Sequence, residues 1–560
     1  MMDPVQPKPG VFSIGICMAG AVSAGAYTAG VMDYLLESLA EWEKRRGQPG
    51  VPSHRVEIPV IGGASAGGMT GIITASALNS PVKPLDRPGD DLLAEHPENK
   101  FYHAWVDLTG TDMFSKMLDT GDIQPGLIPS GLNSNFIDEV AAKMIVTAPG
   151  YQPLPPYIAP GLKVFTTLSN LGGFPYSADF YAASAGNRKY HMQLHNDYAC
   201  FQLTEMTDTA APNAGWVPLN FKTGINLSIA RNAAMATGAF PVGLKSRLLE
   251  RDAAYVNANP FLQDIFGNTP VGPGAYTTLN VDGGMINNEP FEKVREELLR
   301  STGQPKNTVD DPNHFNSTIL MIEPFPTTPP VPISMDQGLL HVIGLTLSTM
   351  ISQMRSKPLN IANALNENCA GQYLIAPSRL ITGPDGTLQE VAGERAIACG
   401  ALNGFSGFIN KEFRVHDYYL GRYNCKIFLR DYFTVSKEAV DANAIFANGY
   451  AGLANKDDFK STRDYSYQII PQFKDYTDYT FPDFKFSSGA NWPAVREADI
   501  DQYQPAVKKR MQALIKNAVK LNWWQSILLG IGSAVLLSGS ATKAAMDKIK
   551  ADLRLWQLLP

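Results

Sequence analysis

Ser65 stands at the centre of the run GASAG, residues 63–67, in which small residues flank a hydroxyl on both sides. The run fits the pattern G-x-S-x-G, where a sharp turn between a strand and a helix exposes a nucleophilic serine. Gly63 and Gly67 allow such a turn to form without steric clash. The pattern predicts a serine nucleophile, and the alternative is a chance match in a chain with 48 glycines.

A serine at its ordinary pKa is a poor nucleophile and needs a neighbouring base. Asp282 follows a predicted strand and precedes Gly283 and Gly284, so a tight turn would hold its carboxylate at the strand end. Such a carboxylate can accept a proton, although Asp-Gly-Gly is also a common structural turn. In α/β-hydrolases the order is serine, acid, histidine, so His314 or His341 could complete a triad instead.

A turn at residues 20–25 follows the predicted strand Val11–Met18 and precedes a helical pattern. A strand, a glycine turn and a helix in this order present backbone N–H groups to an anion. The turn contains no Lys or Arg and no G-x-x-x-x-G-K pattern, so phosphate binding of the P-loop kind is not expected. An oxyanion hole made of backbone amides and a purely structural turn are the two remaining interpretations.

Further strand and helix patterns surround these residues. Further strands are predicted at Lys163–Leu168 and at Ile319–Ile322, the second of which would close the sheet. Helices are predicted at Ser134–Met144 and Leu227–Ala239. Residues 81–160 are rich in Pro, Asp and Gly and are interpreted as a lid or insertion over one end of the core.

Three motifs together resemble the patatin-like phospholipases. They are the GASAG run, the glycine turn before an A-G-V helix, and the sequence VDGGMINNEP at residues 281–290. The run ARNAAMATGAFP at residues 230–241 is similar to a small-residue helix of that family. The resemblance covers residues 11–325 and implies an α/β sandwich around a mainly parallel sheet, followed here by a largely helical C-terminal extension.

The resemblance also implies roles for individual residues. Ser65 would be the nucleophile and Asp282 the general base of a Ser-Asp dyad that uses no histidine. The backbone amides of Gly20, Ala21 and Val22 would form the oxyanion hole. Neither a metal ion nor another cofactor is implied.

The first turn departs from the family pattern Gly-Gly-Gly-x-Arg/Lys-Gly, because Ala24 replaces the basic residue. Backbone amides can still act as donors, since no side chain supplies them. The resemblance therefore implies a serine lipid acyl hydrolase that cleaves carboxylic esters of lipids through an acyl-Ser65 intermediate. A membrane-associated scaffold that keeps the fold without activity and an esterase with a Ser-Asp-His triad are the alternatives.

Composition restricts the broad class of the protein. With 44% hydrophobic and 18% charged residues, the 560-residue chain is typical of a globular protein with two or three compact regions. A net charge of -6 gives no reason to expect nucleic acid as a partner. The five cysteines lack C-x-x-C spacing, so neither a zinc site nor a disulfide framework is predicted. The N-terminus lacks signal-peptide features, so a cytoplasmic location is expected.

Shifts in composition divide the chain into three predicted regions. Residues 1–326 form the catalytic domain, residues 327–498 an accessory region of mixed helical character, and residues 499–560 a tail.

The accessory region carries three patterns. Gly338–Asn368 is a long apolar helical pattern, and Phe413–Phe433 predicts an amphipathic helix with a structural network of Arg, Asp and Tyr side chains. Residues 440–500 are polar and aromatic and are interpreted as loops.

The tail combines a basic amphipathic helix, Asp499–Lys520, with an uncharged run, Leu521–Thr542, that contains Trp523 and Trp524 near its start. Because lipid substrates are insoluble in water, we expect this tail to dock peripherally on the inner face of a membrane. A buried helix or one packed in a homo-oligomer, and a true membrane span, are the alternatives.

Overall fold

Two neighbouring strands that are buried along nearly their whole length, β1 (Val11–Met18) and β2 (Arg55–Gly63), lie at the centre of the fold. They run parallel and pair from Val11 opposite Arg55 to Met18 opposite Gly63. Parallel sheets are covered by helices on both faces, so their strands carry continuous apolar and small residues instead of an alternating pattern. The sequence VFSIGICM of β1 has this character.

The computed structural model describes the chain except residues 1–7, 82, 84, 86, 87, 89–91, 108, 109, 111, 149, 180–188, 206–214, 264–269, 304–313, 327–341, 343, 344, 346–348, 350–361, 363–371, 384, 476–490 and 519–538. The remaining strands are β3 (Ile158–Asp179), β4 (Lys189–Leu203), β5 (Val217–Leu219), β6 (Arg247–Asp252), β7 (Ala275–Asp282), β8 (Ser317–Ile322), β9 (Gln372–Ile375), β10 (Ser378–Thr382), β11 (Leu388–Ala392), β12 (Thr434–Val435) and β13 (Tyr467–Gln468).

The α-helices are α1 (Gly25–Arg45), α2 (Ser65–Ala77), α3 (Leu92–Glu95), α4 (Lys100–Tyr102), α5 (Met113–Leu118), α6 (Asn135–Met144), α7 (Leu227–Thr237), α8 (Ala253–Asn257), α9 (Phe291–Thr302), α10 (Lys411–Asp431), α11 (Lys437–Ala442), α12 (Ala444–Gly449), α13 (Glu497–Asp501), α14 (Gln504–Ala518) and α15 (Gly539–Leu555). A π-helix spans His103–Asp107. Short 3-10 helices span Val22–Ala24, Gly283–Met285, Gly393–Ala396, Ala398–Gly400, Leu402–Gly404, Ser406–Phe408 and Lys456–Phe459.

Among the described residues, nine strands form one sheet with the main order β5-β4-β3-β2-β1-β8-β9, while β7 pairs with β3 and β6 pairs with β7. The pairs β1-β2, β2-β3, β1-β8, β8-β9 and β4-β5 are parallel, whereas β3-β4, β3-β7 and β6-β7 are antiparallel. The predicted α/β fold with a mainly parallel sheet is confirmed. In such sheets, ligands bind beyond the carboxyl ends of the strands.

The edge of the sheet differs from the prediction. Ile319–Ile322 was expected to close the sheet, but β8 lies between β1 and β9, so this expectation is wrong. The short strand β9 extends the sheet beyond β8 and comes from beyond the predicted boundary at residue 326. Its sequence QYLI is too short to carry a recognisable strand pattern of its own.

Helix α10 packs against α1 with backbone nearly touching backbone. A Cβ atom on Gly30 would lie 1.9 Å from the Tyr418 carbonyl oxygen, and one on Gly421 would lie 2.2 Å from that of Tyr27. Glycine at these two positions therefore lets the helices approach closely. This contact joins the predicted accessory region to the first helix of the predicted catalytic domain.

The network predicted for this helix is present in its contact with α1. The Asp33 carboxylate accepts hydrogen bonds from the Tyr418 hydroxyl, at 2.7 Å, and from Arg422. Arg422 also pairs with Glu37 at 2.5 Å. The amphipathic character was wrong, however, because every residue from Phe413 to Arg422 is buried. Within this buried stretch, Tyr418 and Arg422 form their polar contacts with carboxylates of α1.

The loops predicted for residues 440–500 contain short helices. Helix α12 begins after Asn443, whose side chain accepts from the backbone N–H of Ile445. Such caps stabilise helices too short to show a periodic apolar pattern. The long helical pattern at Gly338–Asn368 falls almost wholly outside the described residues.

The described part of the tail packs on the rest of the protein. Arg510 of α14 is buried, forms an ion pair with Asp122 and donates to the Gly131 carbonyl oxygen at 3.0 Å. The side chains of Lys508 and Lys509, in contrast, are exposed. Most of the apolar run at 521–542 lies outside the described residues. Among the residues that are described, no helix has the length and apolar character needed to cross a membrane.

Candidate active site

Ser65 is the first residue of α2, and only Ala64 separates it from the carboxyl end of β2. Its backbone has a φ of 50°, in the left-handed region that residues other than glycine seldom occupy. A Cβ atom on Gly63 would lie 2.6 Å from the Gly67 backbone, and one on Gly67 would lie 2.3 Å from the Met18 carbonyl oxygen. The predicted elbow is therefore formed, and its glycines are required by close backbone contacts.

Asp282 ends β7 and is held by hydrogen bonds to its backbone and its side chain. Its backbone N–H donates to the Ala239 carbonyl oxygen at 2.9 Å, and its own carbonyl accepts from the Ser169 hydroxyl at 2.8 Å. Its Oδ1 accepts from the Gly284 backbone N–H at 2.7 Å. The other carboxylate oxygen, Oδ2, accepts from the Ser65 hydroxyl at 2.6 Å. A short hydrogen bond thus joins the two residues that the sequence singled out.

Gly283 and Gly284 follow Asp282, and neither position has room for a side chain. A Cβ atom on Gly283 would lie 2.1 Å from the Thr167 carbonyl oxygen. One on Gly284 would lie 2.5 Å from Asn288 Oδ1. The turn therefore fits closely against β3, and this fit directs the carboxylate toward Ser65.

The turn after β1 lies beside the serine. A Cβ atom on Gly20 would lie 2.7 Å from the Ser65 Cβ and 2.5 Å from Asn288 Oδ1, so this position requires glycine. Val22 has a φ of 49°, which is a rare conformation for a β-branched residue. Both residues belong, with Ala21, to the predicted oxyanion hole, and their role as donors stays a prediction.

Sequence comparison decides the family. The profile described as "Patatin-like phospholipase" matches residues 16–295, which is half of the chain and contains the elbow, Asp282 and the first turn. The chain belongs to the patatin-like phospholipase family. The predicted resemblance is confirmed over this range.

One relative of this patatin-like protein comes from Sinorhizobium fredii (strain NBRC 101917 / NGR234) and is described as the uncharacterized protein y4iI. The two sequences are 31% identical over 484 residues, in a match that covers 78% of this chain and 66% of the relative. The match thus spans slightly less than two thirds of the relative's length. Since it covers more of this chain than the family profile does, the similarity continues outside the range of that profile.

A pocket beside Ser65 and Asp282 contains about 570 Å³ of space when its open mouth is included. Its lining is almost entirely apolar apart from Ser65 and Asp282: Val22, Ala66, Met69, Ile73, Ala104, Trp105, Phe136, Ile137, Val140, Gly238, Phe240, Leu244 and Phe408. Ala66, Met69 and Ile73 follow one face of α2 away from Ser65 at helical spacing. An apolar group attached to a carbonyl at Ser65 can therefore be buried along this helix.

Sequence reasoning did not identify most of these lining residues. Phe136, Ile137 and Val140 lie on the apolar face of α6, whose amphipathic pattern was a usable signal within the predicted lid. Trp105 comes from the π-helix, which has no sequence signature. Phe408 comes from far outside the family match, and nothing near it in the sequence relates it to Ser65.

Of the two histidines proposed for a triad, the structure describes His314, which does not line this pocket. His314 is exposed, and His341 lies outside the described residues. In the described part of the chain, no histidine is among the lining residues. In the same part of the chain, no three His, Cys, Asp or Glu side chains are grouped so that they could hold a metal ion.

Buried ionisable groups lie behind the first turn. Arg414 is fully buried and donates to the carbonyl oxygens of Gly407 and, at 2.9 Å, of Val106. Burial lowers the pKa of this guanidinium to about 10, so it stays charged at neutral pH. Burial, together with the Asp417 carboxylate, raises the pKa of the Cys399 thiol well above its ordinary value. Cys399 is thus an unreactive thiol that packs as a small apolar side chain.

Proposed function

We propose that this patatin-like protein is a serine lipid acyl hydrolase that cleaves carboxylic esters of lipids through a Ser65-Asp282 dyad. The observation that carries the proposal is the 2.6 Å hydrogen bond from the Ser65 hydroxyl to Asp282 Oδ2, at one end of an apolar pocket. Nucleophilic serines are activated by a base within this distance. Family membership supports a hydrolase that acts on lipid esters.

In the proposed reaction, the Ser65 Oγ attacks the ester carbonyl carbon while Asp282 Oδ2 takes the hydroxyl proton. The tetrahedral intermediate then collapses, the bond from carbon to the alcohol oxygen breaks, and Asp282 returns the proton to the departing alcohol. A water molecule repeats these two steps on the acyl-Ser65 ester, giving a fatty acid and free Ser65. Asp282 serves first as base and then as acid.

The oxyanion formed in both steps lies beside the first turn. Backbone N–H groups of Gly20, Ala21 and Val22 are the proposed donors, because this turn approaches Ser65 so closely. Preorganised donors stabilise the charge that develops on the carbonyl oxygen, and a carboxylate is a weak base that needs such help. The apolar lining of the pocket suits the hydrocarbon part of an acyl group.

The dyad is tested by Ser65→Ala and Asp282→Asn, assayed on p-nitrophenyl butyrate. Each change should remove nearly all turnover while the melting temperature stays close to that of the wild type. The double variant should be no worse than either single variant, because the two residues act as one unit. Wild-type rates in Asp282→Asn would falsify the dyad. His314→Ala is the control and should keep full activity, and a collapse there would favour the triad.

No metal takes part in the proposed steps. EDTA should therefore leave the rate unchanged on the same ester. Activity that is lost with EDTA and restored by calcium would contradict this mechanism.

We also propose that the tail brings the enzyme to a membrane surface at the inner face. Lys508, Lys509 and Lys516 are exposed on α14, while Arg510 on the same helix is buried against the protein. Exposed lysines are attracted to anionic lipids. A helix that is docked on the core by one face can present its other face to lipid, so both expectations for the tail can hold together.

A further inference from the structure

Ser23, in the middle of the first turn, is bound by a segment 381 residues further along the chain. Its hydroxyl donates to the Gly404 carbonyl oxygen and accepts from the Gly407 backbone N–H at 3.1 Å. The side chain is only 1% exposed. Both hydrogen-bonding directions of the hydroxyl are thus used by residues 398–408, here called the clamp.

The clamp is also in tight steric contact with the turn. Gly404 has a φ of 91°, and a Cβ atom there would lie 3.0 Å from the Val22 Cβ and 3.3 Å from the Ala21 carbonyl oxygen. A Cβ atom on Gly407 would lie 2.5 Å from Ser23 Oγ. The backbone of the clamp therefore packs directly against the turn.

Helix α10 fixes the clamp in turn. The Asp417 carboxylate accepts hydrogen bonds from the backbone N–H groups of Ala398, at 2.7 Å, and Cys399, at 2.8 Å. Arg414 donates to the Gly407 carbonyl oxygen. Both side chains are fully buried, so the clamp is joined to a part of the protein that excludes solvent.

The turn needs such support for two reasons. Val22 holds a left-handed backbone conformation, which persists only when the surroundings determine it. Ala24 stands where the family pattern carries a basic side chain, so this chain has no donor of that kind within the turn. Backbone donors are effective only when they are held in the direction in which the oxyanion will form.

We propose that Ser23 is a positioning residue, through which the clamp sets the direction of the backbone N–H groups in the first turn. The inference rests on the proposed function, since it concerns the oxyanion of that reaction. Ser23 itself does not touch the substrate. Its hydroxyl ties the part of the chain that carries the donors to residues outside the family match.

The test is Ser23→Ala, measured on p-nitrophenyl butyrate with the full-length protein. Loss of one oxyanion donor lowers turnover by about 100- to 1000-fold. A donor that is misdirected but still present should lose less, so kcat should fall by about 10- to 100-fold while KM stays within about twofold. kcat is counted per active site, titrated with a fluorophosphonate that labels Ser65, so unfolded protein does not contribute.

Ser461→Ala is a matched control. Ser461 is equally buried, and its hydroxyl likewise donates to a backbone carbonyl, that of Asp431 at 3.0 Å, and accepts from a backbone N–H, that of Arg463 at 3.0 Å. Its loss should cost stability without changing kcat per active site. An equal fall of kcat in both variants would reduce the effect of Ser23 to general destabilisation and overturn the proposal.

A second variant and a second readout complete the test. Gly404→Ala pushes a methyl group toward Val22 and should lower kcat in the same way. A trifluoromethyl ketone that forms an oxyanion on Ser65 should bind more weakly to Ser23→Ala by the factor seen in kcat, whereas a fatty acid should bind equally well. Unchanged kcat in Ser23→Ala, beside an inactive Ser65→Ala, would refute the inference alone. An active Ser65→Ala would refute the proposed function itself.

Discussion

The elbow and the clamp both contact the first turn, yet they differ in what the sequence reveals of them. Ser65 and Asp282 lie 217 residues apart, but each is marked by glycines that its own turn requires. Ser23 and Gly404 meet across 381 residues through one hydroxyl and a backbone carbonyl. A sharp backbone turn restricts residue types locally, whereas contact between distant segments leaves no local pattern.

Because the clamp and α10 pack on the first turn and on α1, we expect the region after residue 326 to belong to the core as fully as the family-matched half does. Its strongest test is Arg422, which is buried and pairs with Asp33 and Glu37 of α1. Removing one partner of a buried ion pair costs about 3–5 kcal/mol, because the remaining charge stays buried. Arg422→Met should lower the free energy of unfolding by about this amount.

The measurement is urea unfolding followed by tryptophan fluorescence. Adding Asp33→Asn and Glu37→Gln to Arg422→Met should recover part of the loss, since no buried charge is then left unpaired. Lys437→Gln, on the exposed surface of α11, is the control and should change little. If Arg422→Met melted as the wild type does, α10 would be a loosely attached module.

A second, smaller effect is the pH dependence of the free energy of unfolding, which tests another contact between the two regions. His54 precedes β2 and its Nε2 lies 2.8 Å from the Ile469 carbonyl oxygen, so it too joins the two regions. Burial lowers the pKa of His54 to about 4, from an ordinary value near 6.5. The unfolded chain binds a proton below pH 6.5 that the folded chain refuses until about pH 4.

His54 therefore destabilises the fold progressively as the pH falls from 6.5 toward 4, by about 3 kcal/mol in total. Urea midpoints measured at pH 7 and pH 4.5 should differ less in His54→Gln than in the wild type, because glutamine takes up no proton. His191→Gln changes an exposed histidine and serves as the control. Equal pH dependence in all three proteins would show that folding does not lower the pKa of His54 and would contradict this prediction.

The smallest expected effect concerns the tail. It tests whether the C-terminal region also binds membranes. Lysines near an anionic membrane contribute about 1 kcal/mol each to binding. Lys508→Gln with Lys509→Gln should therefore weaken binding to phosphatidylserine vesicles by about 30-fold, since 1.4 kcal/mol is tenfold. Activity on soluble p-nitrophenyl butyrate should not change, and Lys437→Gln should bind vesicles as the wild type does. Undiminished vesicle binding would exclude these lysines as the membrane contact.

The elements that could be predicted from the sequence are those whose residue types are restricted by their own turn, strand or helix. β1, α1, β2 and α2 could be predicted because apolar runs, glycine turns and helical periods follow one another within residues 11–77. The burial of α10 could not, because its Arg, Asp and Tyr residues resemble a solvated face until their partners on α1 are known. Phe408 likewise became a pocket residue only through the packing of the clamp.

The ion pair between Asp33 and Arg422 has a consequence for biosynthesis. Its members are 389 residues apart, so at about 5–20 residues per second the ribosome needs about 20–80 s to add the second after the first. During that interval, the nascent chain exposes the face of α1 that α10 will cover, which is a surface for chaperones to bind. The clamp is translated just as late, so the first turn gains its contacts with Gly404 and Gly407 only after residues 398–408 have been made.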